Sequence, residues 1–125
     1  MEVTIDEVRD YLSEVKKYIS DGRYQISPRS KNQSIYIDYV FSEERCKEIL
    51  MDLEVEDFSD TVQNEHSQYP EEILYIFGKE VSLLPKQGGS EETVALYIKF
   101  NKLTNLYVIV ISFHKQDYPL RYKFK

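Results

Sequence analysis

The chain has no tryptophan, one cysteine, two histidines, four glycines and four prolines in 125 residues. A lone Cys46 cannot close an internal disulfide, so burial must hold the fold, and a reducing cytoplasm is the expected location. No apolar run approaches the roughly 20 residues a membrane span needs, and the stretch from Met1 to Gly22 is too charged for a signal peptide. No internal repeat or linker interrupts the chain. Its length suits a single domain over residues 1–125 with one core.

What is present is ordinary in amount and uneven in place. Hydrophobic residues make up 42% and charged residues 30%, which excludes disordered and fibrous classes. Eleven tyrosines and six phenylalanines carry the aromatic content. The net charge of -6 argues against indiscriminate binding to nucleic acid, where phosphate attraction dominates. From Tyr97 to Lys125, however, six basic residues stand against Asp117 alone, a balance of +5, while the first 96 residues carry 10 basic and 21 acidic, or -11. Either the C-terminal part offers an anion-friendly surface, or these charges are scattered and solvated.

Periodicity gives the elements. Thr4 and Glu7 form a capping box, after which Ile5, Val8, Leu12, Val15 and Ile19 share one helix face until Gly22 ends the helix. Arg23 to Ile26 reads as a short extended piece, and "SPRSKN" as a loop. "SIYIDYVF" alternates like a strand yet sits where a helix would pack well; helix is the preferred reading. Ser42 caps a clearer helix with Cys46, Ile49, Leu50 and Leu53 on its apolar stripe, which makes Cys46 a small core residue rather than a nucleophile. A helical turn is expected around Glu56 to Thr61. "ILYIFGKEV", "TVALYIKF" and "LYVIVISFH" then read as strands. Helices first and strands afterwards predict an α+β fold, with N-terminal helices packed on one face of a C-terminal antiparallel sheet.

In the penultimate strand Val94, Leu96, Ile98 and Phe100 face the core and Tyr97 and Lys99 face away. A hairpin loop of two or four residues would place Ser112 and His114 on the face of Tyr97 and Lys99; a three-residue loop would reverse this. The run "VIVIS" is apolar on both faces, so a central, rigidly held strand ends in Ser112, Phe113 and His114 at the sheet's rim. Histidine is the side chain best suited to take and return a proton near neutral pH. The plainer reading is a surface histidine at a strand end. "KQGGS" lacks the ending of a phosphate-cradling loop, and His66 with Glu65 and Glu71 is a weak basis for a metal site, so no cofactor is expected.

The segments "LYIFGKEV", "ALYIKF" and "VIVISFHKQDYPLRYKF", with "RSKN" and "EILMDLEVEDF" upstream, resemble the MqsR family of bacterial toxins, within the wider RelE-like group of messenger-RNA interferases. The similarity runs with gaps from about Val8 to Tyr122 and is specific in the last two strands. It implies a RelE-like fold and a metal-independent endoribonuclease, a monomer when free, whose partners are RNA and a cognate antitoxin protein. Catalysis there proceeds by attack of a ribose 2'-hydroxyl on the adjacent phosphate. The resemblance assigns catalytic roles to His114, Tyr97 and Lys99. It points to RNA contacts at Tyr75, Ser112, Lys115, Arg29, Lys31 and Arg121. One departure is Asp60, which stands where the family supplies a lysine and would repel phosphate. A non-catalytic relative acting as a protein-binding or regulatory module is therefore the alternative.

Overall fold

A computed structural model describes residues 2–64 and 72–125. Its elements are α1 (Ile5–Ser20), β1 (Tyr24–Ile26), α2 (Ser30–Asp38), α3 (Glu43–Met51), a 3-10 turn (Val55–Asp57), β2 (Phe58–Gln63), β3 (Ile73–Leu83), β4 (Glu92–Leu103) and β5 (Tyr107–Lys115). The fold is α+β, as the order of periodicities predicts. The sheet is mixed rather than antiparallel: five strands run β1-β5-β4-β3-β2, and β1 lies parallel to β5.

The capping box forms at Thr4 and Glu7, and α1 buries Val8, Leu12, Val15 and Ile19 together with Tyr11 and Tyr18. These side chains share one core with Ile49 and Leu50 of α3 and with Val94, Leu96, Ile98 and Phe100 of β4. Cys46 is buried in the same core, and burial pushes its thiol up to about 12. Burying the core side chains supplies the main driving force, at roughly 1.5–3 kcal/mol for each large aliphatic or aromatic residue.

Two further expectations are corrected. Helix α2 begins at Ser30, inside the stretch read as loop, and only residues 27–29 connect it to β1. It spans most of the ambiguous "SIYIDYVF" segment, then ends as Tyr39 bridges Pro85. The expected helical turn at Glu56 to Thr61 is a 3-10 turn followed by strand from Phe58. Polar residues populate β2 because it is an edge strand, with a partner on one side only. Glu65, His66 and Glu71 lie outside the described residues.

The β4–β5 hairpin carries the decisive local geometry. Its loop has three residues, Thr104 to Leu106, with Leu103 opposite Tyr107. That odd count alone would send His114 to the core face. The register then shifts: Phe100 pairs with Val110 but Lys99 pairs with Ser112, which leaves Ile111 as an extra residue in a β-bulge. The bulge reverses the alternation a second time. Phe113 is buried opposite Ile98, and Ser112 and His114 join Lys99 and Tyr97 on the face away from the helices.

The segment after β5 crosses that second face. Gln116 donates to the Leu96 carbonyl and to the Tyr122 hydroxyl, and the Lys123 amide donates to the Phe58 carbonyl. Gly78 makes the close approach possible, since a Cβ there would stand 2.4 Å from the Tyr122 hydroxyl oxygen and 2.7 Å from Leu120 Cδ1.

Candidate active site

At the rim of β4 and β5 the Tyr97 and His114 rings stack with centroids 5.2 Å apart and planes 12° from parallel. They line a cavity of about 200 Å³ with Arg29, Lys31, Lys99, Ser112, Asp117 and Tyr118. Six of the nine residues proposed from sequence thus converge: His114, Tyr97, Lys99, Ser112, Arg29 and Lys31. Arg121 lines an adjoining cavity of about 340 Å³, which shares Tyr97 and Tyr118 as walls.

Two of the nine are not brought here. Tyr75 points to the helix face, where its ring stacks on Tyr11 at 3.6 Å and packs against Phe58. Lys115, one residue past His114, alternates to the same far side and lies 5.0 Å over the Tyr39 ring. Pleating alone separates them from the site. The basic excess after Tyr97 is likewise dispersed: Lys102 pairs with Glu14, Lys123 with Glu2, and Lys125 lies over Tyr122. Arg29 and Lys31, from the acidic half of the sequence, complete the cationic rim.

The protonation chemistry follows from the contacts. His114 is largely buried, and its Nδ1 is 2.7 Å from the Lys115 carbonyl oxygen. A carbonyl only accepts, so Nδ1 is the donor here, and the tautomer with that proton alone has its lone pair at Nε2. Tyr97 is held above the usual phenol range by burial first and then by the neighbouring Tyr118, against the opposing pull of Arg29. It therefore stays a phenol at neutral pH and can donate. Arg29 Nη1 is 3.5 Å from the Ser112 hydroxyl. Lys31 pairs with Asp117 at 2.5 Å, and this pair holds the exposed Asp117 carboxyl below its ordinary value, with a smaller pull from His114.

No protein-family model, no curated protein and no solved structure matches this chain. The site must be read from its own chemistry. A proton acceptor, a proton donor and several cations surround a space below the roughly 300–1,000 Å³ of pockets that take a whole small molecule. The first cavity, of about 200 Å³, is lined by both proton-transfer groups and the cations, and the adjoining one, of about 340 Å³, shares the Tyr97 and Tyr118 rings as walls.

Three contributors were missed from sequence. Asp117 and Tyr118 enter because the segment after β5 folds back along the sheet face, which no periodicity signals. Asn32 is the third; its signal was its place in "RSKN", beside the two basic residues already singled out. It is buried, and its amide bonds Ser27, Ile111 and Phe113. Among the described residues no group of three or more His, Cys, Asp or Glu is placed to hold a metal ion, and no helix is long and apolar enough to cross a membrane.

Proposed function

We propose that this protein is a metal-independent endoribonuclease of the MqsR-like, RelE-like kind, acting as the toxin of a toxin–antitoxin pair. The stacked imidazole and phenol at the mouth of a cationic cavity carry the reading. The resemblance of the last two strands to that toxin family supports it. His114 Nε2 takes the proton of a ribose 2'-hydroxyl, whose oxygen attacks the neighbouring phosphorus. As the O2'–P bond forms the P–O5' bond breaks, and Tyr97 supplies the proton for the departing 5'-oxygen. Lys99, Lys31, Arg29 and the Ser112 hydroxyl stabilise charge on the non-bridging oxygens. The products are a 2',3'-cyclic phosphate and a 5'-hydroxyl, and the imidazolium gives up its proton as the phenolate regains one, through solvent.

Asp60 favours a second reading. It lines the adjoining cavity with Tyr97 and Arg121, where its charge opposes a polyanion. In that reading the chain is a non-catalytic module that binds a protein partner. Rates of cleavage of one long RNA in chelator decide between the two. The nuclease reading expects cleavage that His114→Ala lowers by about a hundredfold or more, the usual loss of an acid–base group. It also expects growth arrest when the chain is produced without its antitoxin. An unmodified protein that leaves RNA intact and growth unaffected would instead support the binding module.

A further inference from the structure

The bulge at Ile111 decides which face of β5 carries the imidazole, and bulges place an extra carbonyl on one side of a strand. Here the consecutive carbonyls of Val110 and Ile111 both point toward β1. The Ser27 amide, continuing the β1 ladder, donates to the Val110 oxygen at 3.0 Å. The chain then turns away at Pro28, which has no N–H to offer. The next outward groups of β5, the Ile111 carbonyl and the Phe113 amide, are met by a side chain rather than by the β1 ladder.

Asn32 fills the gap. Its Nδ2 donates to the Ile111 oxygen at 2.9 Å and to the Ser27 oxygen at 2.9 Å, and its Oδ1 accepts from the Phe113 amide at 2.8 Å. A side-chain amide carries the same donor and acceptor as a peptide group, so it extends the ladder across the bulge as one more residue of β1 would. The side chain is 2% exposed, so water does not compete. Asp offers acceptors only, and Leu offers neither function.

We propose that Asn32 is the positioning residue of the site: its amide fixes the Ile111 bulge and thereby holds Ser112 and His114 on the face of Tyr97. Asn32 touches no reacting atom. Burial of Phe113 favours the same register, so loss of the amide loosens the strand end rather than inverting it. The imidazole then samples positions away from the phenol.

The first test is on the unmodified protein, by NMR. The Phe113 amide and the Asn32 Nδ2 protons exchange slowly with solvent, and the His114 ring protons are shifted upfield by the stacked phenol; fast exchange at both positions overturns the proposal. In Asn32→Asp, which preserves shape, and in Asn32→Leu, the Phe113 amide loses protection or the His114 shifts move toward those of a free imidazole, while α1 and β4 amides stay protected. Unchanged Phe113 exchange and His114 shifts in both folded variants overturn it. The catalytic consequence rests on the nuclease reading: kcat falls by about 10- to 100-fold, as small misplacements of reacting groups do, with KM little changed. Should the unmodified protein not cleave RNA, that reading fails and the NMR results still decide the role of Asn32.

Discussion

Replacing Gly78 by alanine tests whether the segment after β5 is built onto the sheet or merely rests there. The backbone of Gly78 does not need positive φ, so alanine brings no conformational strain. Its methyl group, however, would lie 2.4 Å from the Tyr122 oxygen, 2.7 Å from Leu120 Cδ1 and 2.8 Å from Gln116 Nε2. All three are ends of side chains that must shift together, which strains the Gln116 bonds to Leu96 and Tyr122. Overpacking of this kind costs about 1–3 kcal/mol. At roughly 4 °C per kcal/mol for a chain of this size, the melting temperature should fall by about 4–12 °C. Hydrogen exchange should quicken at the Leu120 and Lys123 amides, whose acceptors are the Gln116 side chain and the Phe58 carbonyl. Adding Tyr122→Phe removes the nearest clashing atom and should recover part of the loss. A neutral or stabilising Gly78→Ala, with exchange unchanged, would refute the seating of this segment and with it the placement of Asp117 and Tyr118 at the site.

Three further outcomes follow from single contacts. Leu106 holds a positive φ of 62° at the end of the hairpin loop and is half exposed, so Leu106→Asn should stabilise by about 0.5–1 kcal/mol, read as a raised denaturant midpoint. The buried Cys46 thiol, pushed up to about 12, should resist alkylation at neutral pH in the native protein and react at the ordinary rate once unfolded; equal rates would place it at the surface. The Asp117 carboxyl lies below its unfolded value near 3.8 because Lys31 pairs with it, so its contribution to stability is present above that pH and lost as pH falls through the lower folded value. Carboxyl NMR titration should show the depression, and Lys31→Ala should abolish most of it.

Much of the fold was legible because it follows from repeating patterns. The first helix announced itself through Thr4, Glu7 and a clean apolar stripe, and β4 through its alternation. The parallel strand β1 was not legible as part of the sheet, since three residues carry too little alternation to identify a partner. Edge strand β2 was obscured for the opposite reason: solvent on one side permits the polar sequence "FSDTVQ". The face shared by Tyr97 and His114 matches the sequence reading based on an even hairpin loop, but by another route. The loop is odd, and the Ile111 bulge restores the alternation. Nothing in "VIVIS" marks that bulge; its signal lies 79 residues away in Asn32, where only the fold brings the two together. Tyr75 and Lys115 fall outside the cavity because the pleat, which residue type alone does not show, turns them to the other face.

The ends of the RNA products made in the presence of chelator test the proposed mechanism most directly. Attack by a 2'-hydroxyl under the action of His114 and Tyr97 predicts 2',3'-cyclic phosphate and 5'-hydroxyl ends from the unmodified protein, with His114→Ala yielding neither above background. Products ending in 3'-hydroxyl and 5'-phosphate, or undiminished cyclic phosphate from His114→Ala, would contradict it.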